Sequence, residues 1–147
     1  SVLVITVVDT GPYLVFKGFL PCMPTGVQPI FNALAHLNPL RWSGAISLEQ
    51  GITDSWASNL NPIECLDFIS GMACPHYQEE KDRRPSVHEM LKKGNSMPGY
   101  AIDGGAAVHF KNGNYFRSLQ FHTDSNAYHV SCENQIINEN KMEMIKL

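Results

Sequence analysis

The sequence has no apolar run of the 18 or more residues that a membrane-spanning helix needs, and no Cys-x-x-Cys pair. Its four cysteines, Cys22, Cys65, Cys74 and Cys132, fall at intervals of 43, 9 and 58. A zinc cage or a disulfide framework is therefore not indicated, and a reducing cytoplasm is the expected compartment. Charge is also scarce: charged residues are 17% of the chain, below the roughly 25% of soluble domains. That excludes a disordered or coiled-coil protein, both of which need a charge-rich composition. With 11 Lys and Arg against 14 Asp and Glu, the largest local grouping of basic residues is Lys81, Arg83 and Arg84. No basic face for a nucleic acid backbone is implied, and neither a membrane nor a nucleic acid is an expected partner.

What is present is an apolar fraction of 44% in 147 residues, enough for one domain over residues 1–147 with a core of its own. The run Val2–Val8 has no basic flank and is closed by Asp9-Thr10-Gly11, so it reads as a buried strand and not a leader. Tyr13–Phe16 suggests a second strand and Pro29–Leu37 a short helix. Asn61-Pro62 is expected to open a turn of helix carrying Ile63, Cys65, Leu66 and Phe68. Pro85, the run Ser86–Lys93 with Val87, Met90 and Leu91 on one face, and Gly94 make a capped helix.

The last third reads as β. Ala106–Phe110 and Tyr115–Phe121 flank Asn112-Gly113, a strong hairpin signal. Tyr128–Cys132 and Lys141–Leu147 form two more expected strands, joined by a polar connection at Glu133–Asn140. Helices and strands followed by a β meander indicate an α/β fold with antiparallel strands at one edge.

Three patterns could carry chemistry. Val8-Asp9-Thr10-Gly11 looks like the Asp-Thr-Gly of aspartic proteases, but that site needs a second carboxylate. The chain has no second copy, so a strand ending in a turn is favoured. His88-Glu89-Met90-Leu91-Lys92 starts like His-Glu-x-x-His and then places Lys where the second imidazole ligand belongs. No metal site and no cofactor motif follow. The third pattern is Trp42-Ser43-Gly44-Ala45-Ile46, a serine among small residues after an extended stretch. Small residues suit a strained nucleophile turn whose next amide must face an oxyanion. Asp54 lies 11 positions and His76 33 positions after Ser43, each in a turn context from which side chains can converge.

Taken with Gly51-Ile52-Thr53-Asp54-Ser55, Cys74-Pro75-His76-Tyr77, Arg83-Arg84-Pro85 and Pro98 to Ala107, these pieces resemble the peptidase E and cyanophycinase family of serine peptidases. They are co-linear from Trp42 to about Val130. The resemblance implies a three-layer α/β sandwich of the class I glutamine amidotransferase-like type. It places the nucleophile on Ser43, the general base on His76 and the third member on Asp54, with the Gly44 amide at the oxyanion. It implies no cofactor, and small peptides as substrates, aspartyl peptides among them. Asp103 receives no role.

Two departures stand beside the match. The family elbow reads Gly-x-Ser-Ala-Gly-Ala, whereas here Arg41 replaces the first glycine and one residue fewer separates Ser43 from Gly44. Residues 1–40 do not align to the family, so the chain reads as truncated or divergent on its N-terminal side. Missing strand-helix units would uncover one sheet face, which favours self-association. A catalytically inactive fragment or an interaction module is the alternative expectation.

Overall fold

The computed structural model describes residues 3–8, 48–53, 59–65 and 67–147, with only the backbone described for residues 3–8 and Thr53. The expected elements Tyr13–Phe16 and Pro29–Leu37 lie outside these. Among the described residues ten strands and one helix follow in chain order: β1 (Leu3–Val8), β2 (Leu48–Thr53), β3 (Asn61–Glu64), β4 (Ile69–Pro75), α1 (Arg83–Lys93), β5 (Gly99–Ile102), β6 (Ala106–Lys111), β7 (Asn114–Gln120), β8 (Ala127–Glu133), β9 (Ile136–Lys141) and β10 (Met144–Lys146).

The strands form two sheets, a six-stranded one ordered β3-β2-β4-β5-β8-β9 and a four-stranded one ordered β1-β6-β7-β10. At the centre of the larger sheet β2, β4 and β5 are parallel, with α1 as the connection from β4 to β5. Antiparallel β3 and β8-β9 flank them. Parallel strands joined by a helix are buried on both faces, and β4 shows it: Met72, Ala73 and Cys74 are all inaccessible. Ala73 packs with Ile102, Val108 and Phe110 between the two sheets. Met72 and Cys74 pack with Val87 and Leu91 of α1 on the opposite face. The described residues thus build a mixed α/β architecture in which the larger sheet has a helix on one side and a second sheet on the other.

Between Leu48 and Gln50 the register of β2 against β4 slips. With that slip β2 changes the face it buries, Leu48 going to the sheet–sheet core and Ile52 to the helix side. Gly71, opposite the slip, has φ +115°, a backbone that side-chain-bearing residues avoid.

Three expectations change. The predicted helical turn at Asn61-Pro62 is strand β3, with Ile63 opposite Gly51 and Pro62 opposite Ile52. Pro62 is tolerated because β3 is an edge strand, where a missing N–H need not leave a partner unbonded. The polar Glu133–Asn140 connection is mostly strand β9, turned back on β8 by Asn134 and Gln135, both at positive φ. The C-terminal strands also do not form one meander: β6-β7 belongs to the small sheet and β8-β9 to the large one.

Other expectations hold. Gly94 caps α1 at φ 70°, its N–H bonded to the Leu91 carbonyl and the Asn95 N–H to the Met90 carbonyl. The helix starts at Arg83, two residues before Pro85, within the first turn where a missing N–H costs nothing. Asn112 and Gly113, both at positive φ, make the β6-β7 turn. Among the described residues no helix is long and apolar enough to cross a membrane.

Candidate active site

In a sheet of this kind ligand sites form beyond the carboxyl ends of parallel strands. Here β2, β4 and β5 run parallel, so their C-terminal ends share one edge. β2 ends at Thr53, the residue before Asp54 in sequence. β4 ends at Pro75 and is followed by His76; β5 ends at Ile102 and is followed by Asp103. The register pairs Pro75 with Ile102, so His76 and Asp103 leave neighbouring strands side by side.

His76 has φ +54°, left-handed backbone that a side chain with a Cβ adopts at a cost of roughly 1–2 kcal/mol. The local geometry requires it, because the chain must stop running along β4 and drop Tyr77 into the core. The Tyr77 N–H donates to the Ile102 carbonyl at 3.2 Å, and the Glu80 N–H to the His76 carbonyl at 3.3 Å. Tyr77 is completely buried, and its hydroxyl donates to Glu139 Oε2 at 2.6 Å. His76 is left half-buried on the outer side of this turn. Among the described residues nothing hydrogen-bonds its ring.

The turn after β4 is stitched to the turn after β5. Gln78 Nε2 donates to Asp103 Oδ2 at 2.7 Å and to the Tyr128 hydroxyl at 2.8 Å. Glu79 Oε1 accepts from the Gly104 N–H at 2.6 Å. Asp103 Oδ2 also accepts from the Asn126 N–H at 2.9 Å. Asp103 is only 2% exposed, and its Oδ1 is buried without a hydrogen-bond partner. Burial pushes its carboxyl above the ordinary value, against the hydrogen bonds from Gln78 and Asn126 that pull it down.

Cys74, two residues before His76, is inert by contrast. Burial pushes its thiol up to about 12, with only partial opposition from the Arg83 charge, so no thiolate forms near neutrality. Arg83, itself buried, reaches the Ile52 carbonyl at 3.3 Å and pairs with Glu80. Among the described residues no three His, Cys, Asp or Glu side chains converge where a metal ion could sit.

Of the residues expected to act, His76 is thus placed at the strand ends. Ser43, Gly44 and Asp54 lie outside the described residues. A family model described as peptidase family S51 matches residues 43–117, half of the chain, beginning on Ser43 and taking in Asp54 and His76. The chain belongs to peptidase family S51. Over 89 residues this S51 chain is 43% identical to a protein of Bacillus subtilis (strain 168) described as "Uncharacterized peptidase YgaJ". That alignment covers 60% of the chain and 38% of the relative, so the chain spans well under half of that protein's length.

Sequence reasoning assigned nothing to Asp103 or Gln78. A faint signal was available: an acidic residue between Ile102 and Gly104-Gly105, where a strand ends on glycines. Only the pairing of β4 with β5 shows that it faces the His76 turn.

Proposed function

We propose that this S51 chain acts as a serine-type peptidase on small peptides, aspartyl peptides among them. Ser43 is the nucleophile, His76 the general base and Asp54 the carboxylate that holds the imidazole tautomer. The observation that carries the reading is the position of His76, held in left-handed backbone at the strand-end edge where β2 also stops one residue short of Asp54. A match to the family that starts on Ser43 supports it.

In this reading the Ser43 hydroxyl attacks the scissile carbonyl as His76 takes its proton. The oxyanion that forms accepts a hydrogen bond from the Gly44 N–H. His76 then protonates the leaving amine, and water repeats the sequence on the acyl-serine. A class I glutamine amidotransferase-like sandwich is the frame this chemistry needs, since it delivers nucleophile and base to one edge of a parallel sheet.

The test is labelling of the folded chain with a fluorophosphonate probe, beside Ser43→Ala and His76→Ala variants. Labelling that needs both residues supports the proposal, and a folded sample without Ser43-dependent labelling overturns it. The second reading, an inactive member or an interaction module, draws on the Arg41–Ala45 turn, which is one residue short of the family elbow. It predicts no labelling together with concentration-dependent association in sedimentation.

A further inference from the structure

Resting on the reading of His76 as general base, we infer that Asp103 is a positioning residue for that base, acting through Gln78. Three observations converge on it. First, the turn that carries His76 has no regular structure of its own to hold it, and at φ +54° it is strained. Its conformation must be imposed by neighbours, because a strained residue persists only where its surroundings over-determine it. Second, the neighbours that impose it are those at the end of β5. The Tyr77 N–H bonds to the Ile102 carbonyl, Gln78 Nε2 to Asp103 Oδ2 and the Gly104 N–H to Glu79 Oε1. Each of the three residues after His76 is therefore fastened to residues 102–104.

Third, Asp103 is the one acidic group in this set that is buried, at 2% exposure. Burying a carboxylate is costly, and only one of its oxygens receives hydrogen bonds. A residue whose task was packing alone would be better served by an apolar side chain of similar size. What the carboxylate supplies is an acceptor that fixes Gln78 from one side while the Asn126 N–H fixes the carboxylate from the other. Gln78 also bonds Tyr128 on β8, so the His76 turn is referenced to two strands. Displacing a catalytic group by about 1 Å can cost on the order of 100-fold in rate, which makes this bracing relevant to chemistry and not only to folding.

The experiment compares the parent chain with Asp103→Ala, Asp103→Asn and Gln78→Ala. One readout is the ring signals of His76 in heteronuclear NMR, assigned by their loss in His76→Ala. The other is the rate of Ser43 labelling by a fluorophosphonate. The His76 ring signals are expected to shift in Asp103→Ala and in Gln78→Ala, while those of His109, on the other sheet, stay in place. Labelling should slow by about tenfold or more in both. Asp103→Asn keeps one acceptor oxygen for Gln78 and should recover most of the rate. Unmoved His76 signals in a folded Gln78→Ala variant overturn the inference, even if Asp103→Ala fails to fold. If the parent is never labelled, the peptidase reading fails, and the NMR arm still decides whether Asp103 and Gln78 hold His76.

Discussion

The phenol of Tyr77 donates a 2.6 Å hydrogen bond to Glu139 Oε2, joining the residue after His76 to a strand 62 positions later. His88 Nε2 lies 2.9 Å from the same phenol oxygen and 3.0 Å from the same carboxylate oxygen. Arg84 contacts both oxygens of that carboxylate and sits over the Tyr77 ring. Helix α1, the β4 turn and β9 are thereby tied at one point. The tie lies on the helix side of the sheet, and it anchors the turn from beneath.

Removing one member should show how strongly the others depend on it. Tyr77→Phe deletes a donor and is expected to cost about 1–2 kcal/mol. Glu139→Ala, which takes the shared carboxylate acceptor from Tyr77, His88 and Arg84 at once, should cost about 2–3 kcal/mol. Urea unfolding of both singles and the double variant measures the coupling, expected near 1 kcal/mol; strict additivity would show that the contact carries nothing.

Stability should respond to acid through two groups of opposite sign. Burial pushes the Glu139 carboxyl up, but the hydrogen bonds from Tyr77 and His88 and the Arg84 charge outweigh it and leave it below its ordinary 4.5. Its contribution is fully present above that value and is lost as pH falls through the depressed one. Asp103 is raised from 3.8, so its contribution is present below 3.8 and is lost as pH rises through the raised value. Urea midpoints followed from about pH 3 to pH 7 should show a flatter acid loss in Glu139→Gln. In Asp103→Asn the decline on the rising side should disappear.

Cys74 should be silent to thiol reagents. It is inaccessible, with its thiol pushed up to about 12, whereas Cys132 is partly exposed. Timed alkylation near neutral pH, read by peptide mapping, should label Cys132 well before Cys74, and both at once in urea. Cys74→Ala should leave most of any peptidase activity, since its thiol has no role in the proposed chemistry.

The strain at His76 should be separable from its chemistry. Glycine accepts φ +54° freely, a gain of about 1 kcal/mol that its greater unfolded-state entropy nearly offsets. His76→Gly is thus expected within about 0.5 kcal/mol of the parent yet inactive, while His76→Val, β-branched, should lose about 2 kcal/mol. Thermal unfolding alongside fluorophosphonate labelling checks both.

Elements with local punctuation were legible from sequence. Gly94 stops α1 and Asn112-Gly113 turns β6 into β7, because both signals act within a few residues. β3 and β9 were hidden for different reasons. Pro62 argues against a strand until its edge position is known, and Asn134-Gln135 turns a hairpin without a glycine. The division of the strands between two sheets has no local signature, since β6 and β8 differ in partner and hardly in pattern. The same holds for the site. The surroundings of His76, Cys74-Pro75 and Tyr77, mark it as a candidate in the sequence, whereas Asp103 is brought beside it only by the Pro75–Ile102 register.

The pairing of β1 with β6 sets the order in which the chain can assemble. β1 reaches its partner across about 100 intervening positions, a span whose closure costs more entropy than that of a hairpin. The hairpin β6-β7 and the β4-α1-β5 unit close over far shorter spans, and short closures come first. In refolding, amide protection at Leu3–Val8 should therefore lag behind that at Ala106–Gln120, as pulsed hydrogen exchange would reveal. Until β1 arrives, the free edge of β6 is open to a strand from another molecule, so dilution during refolding should favour the monomer over aggregates.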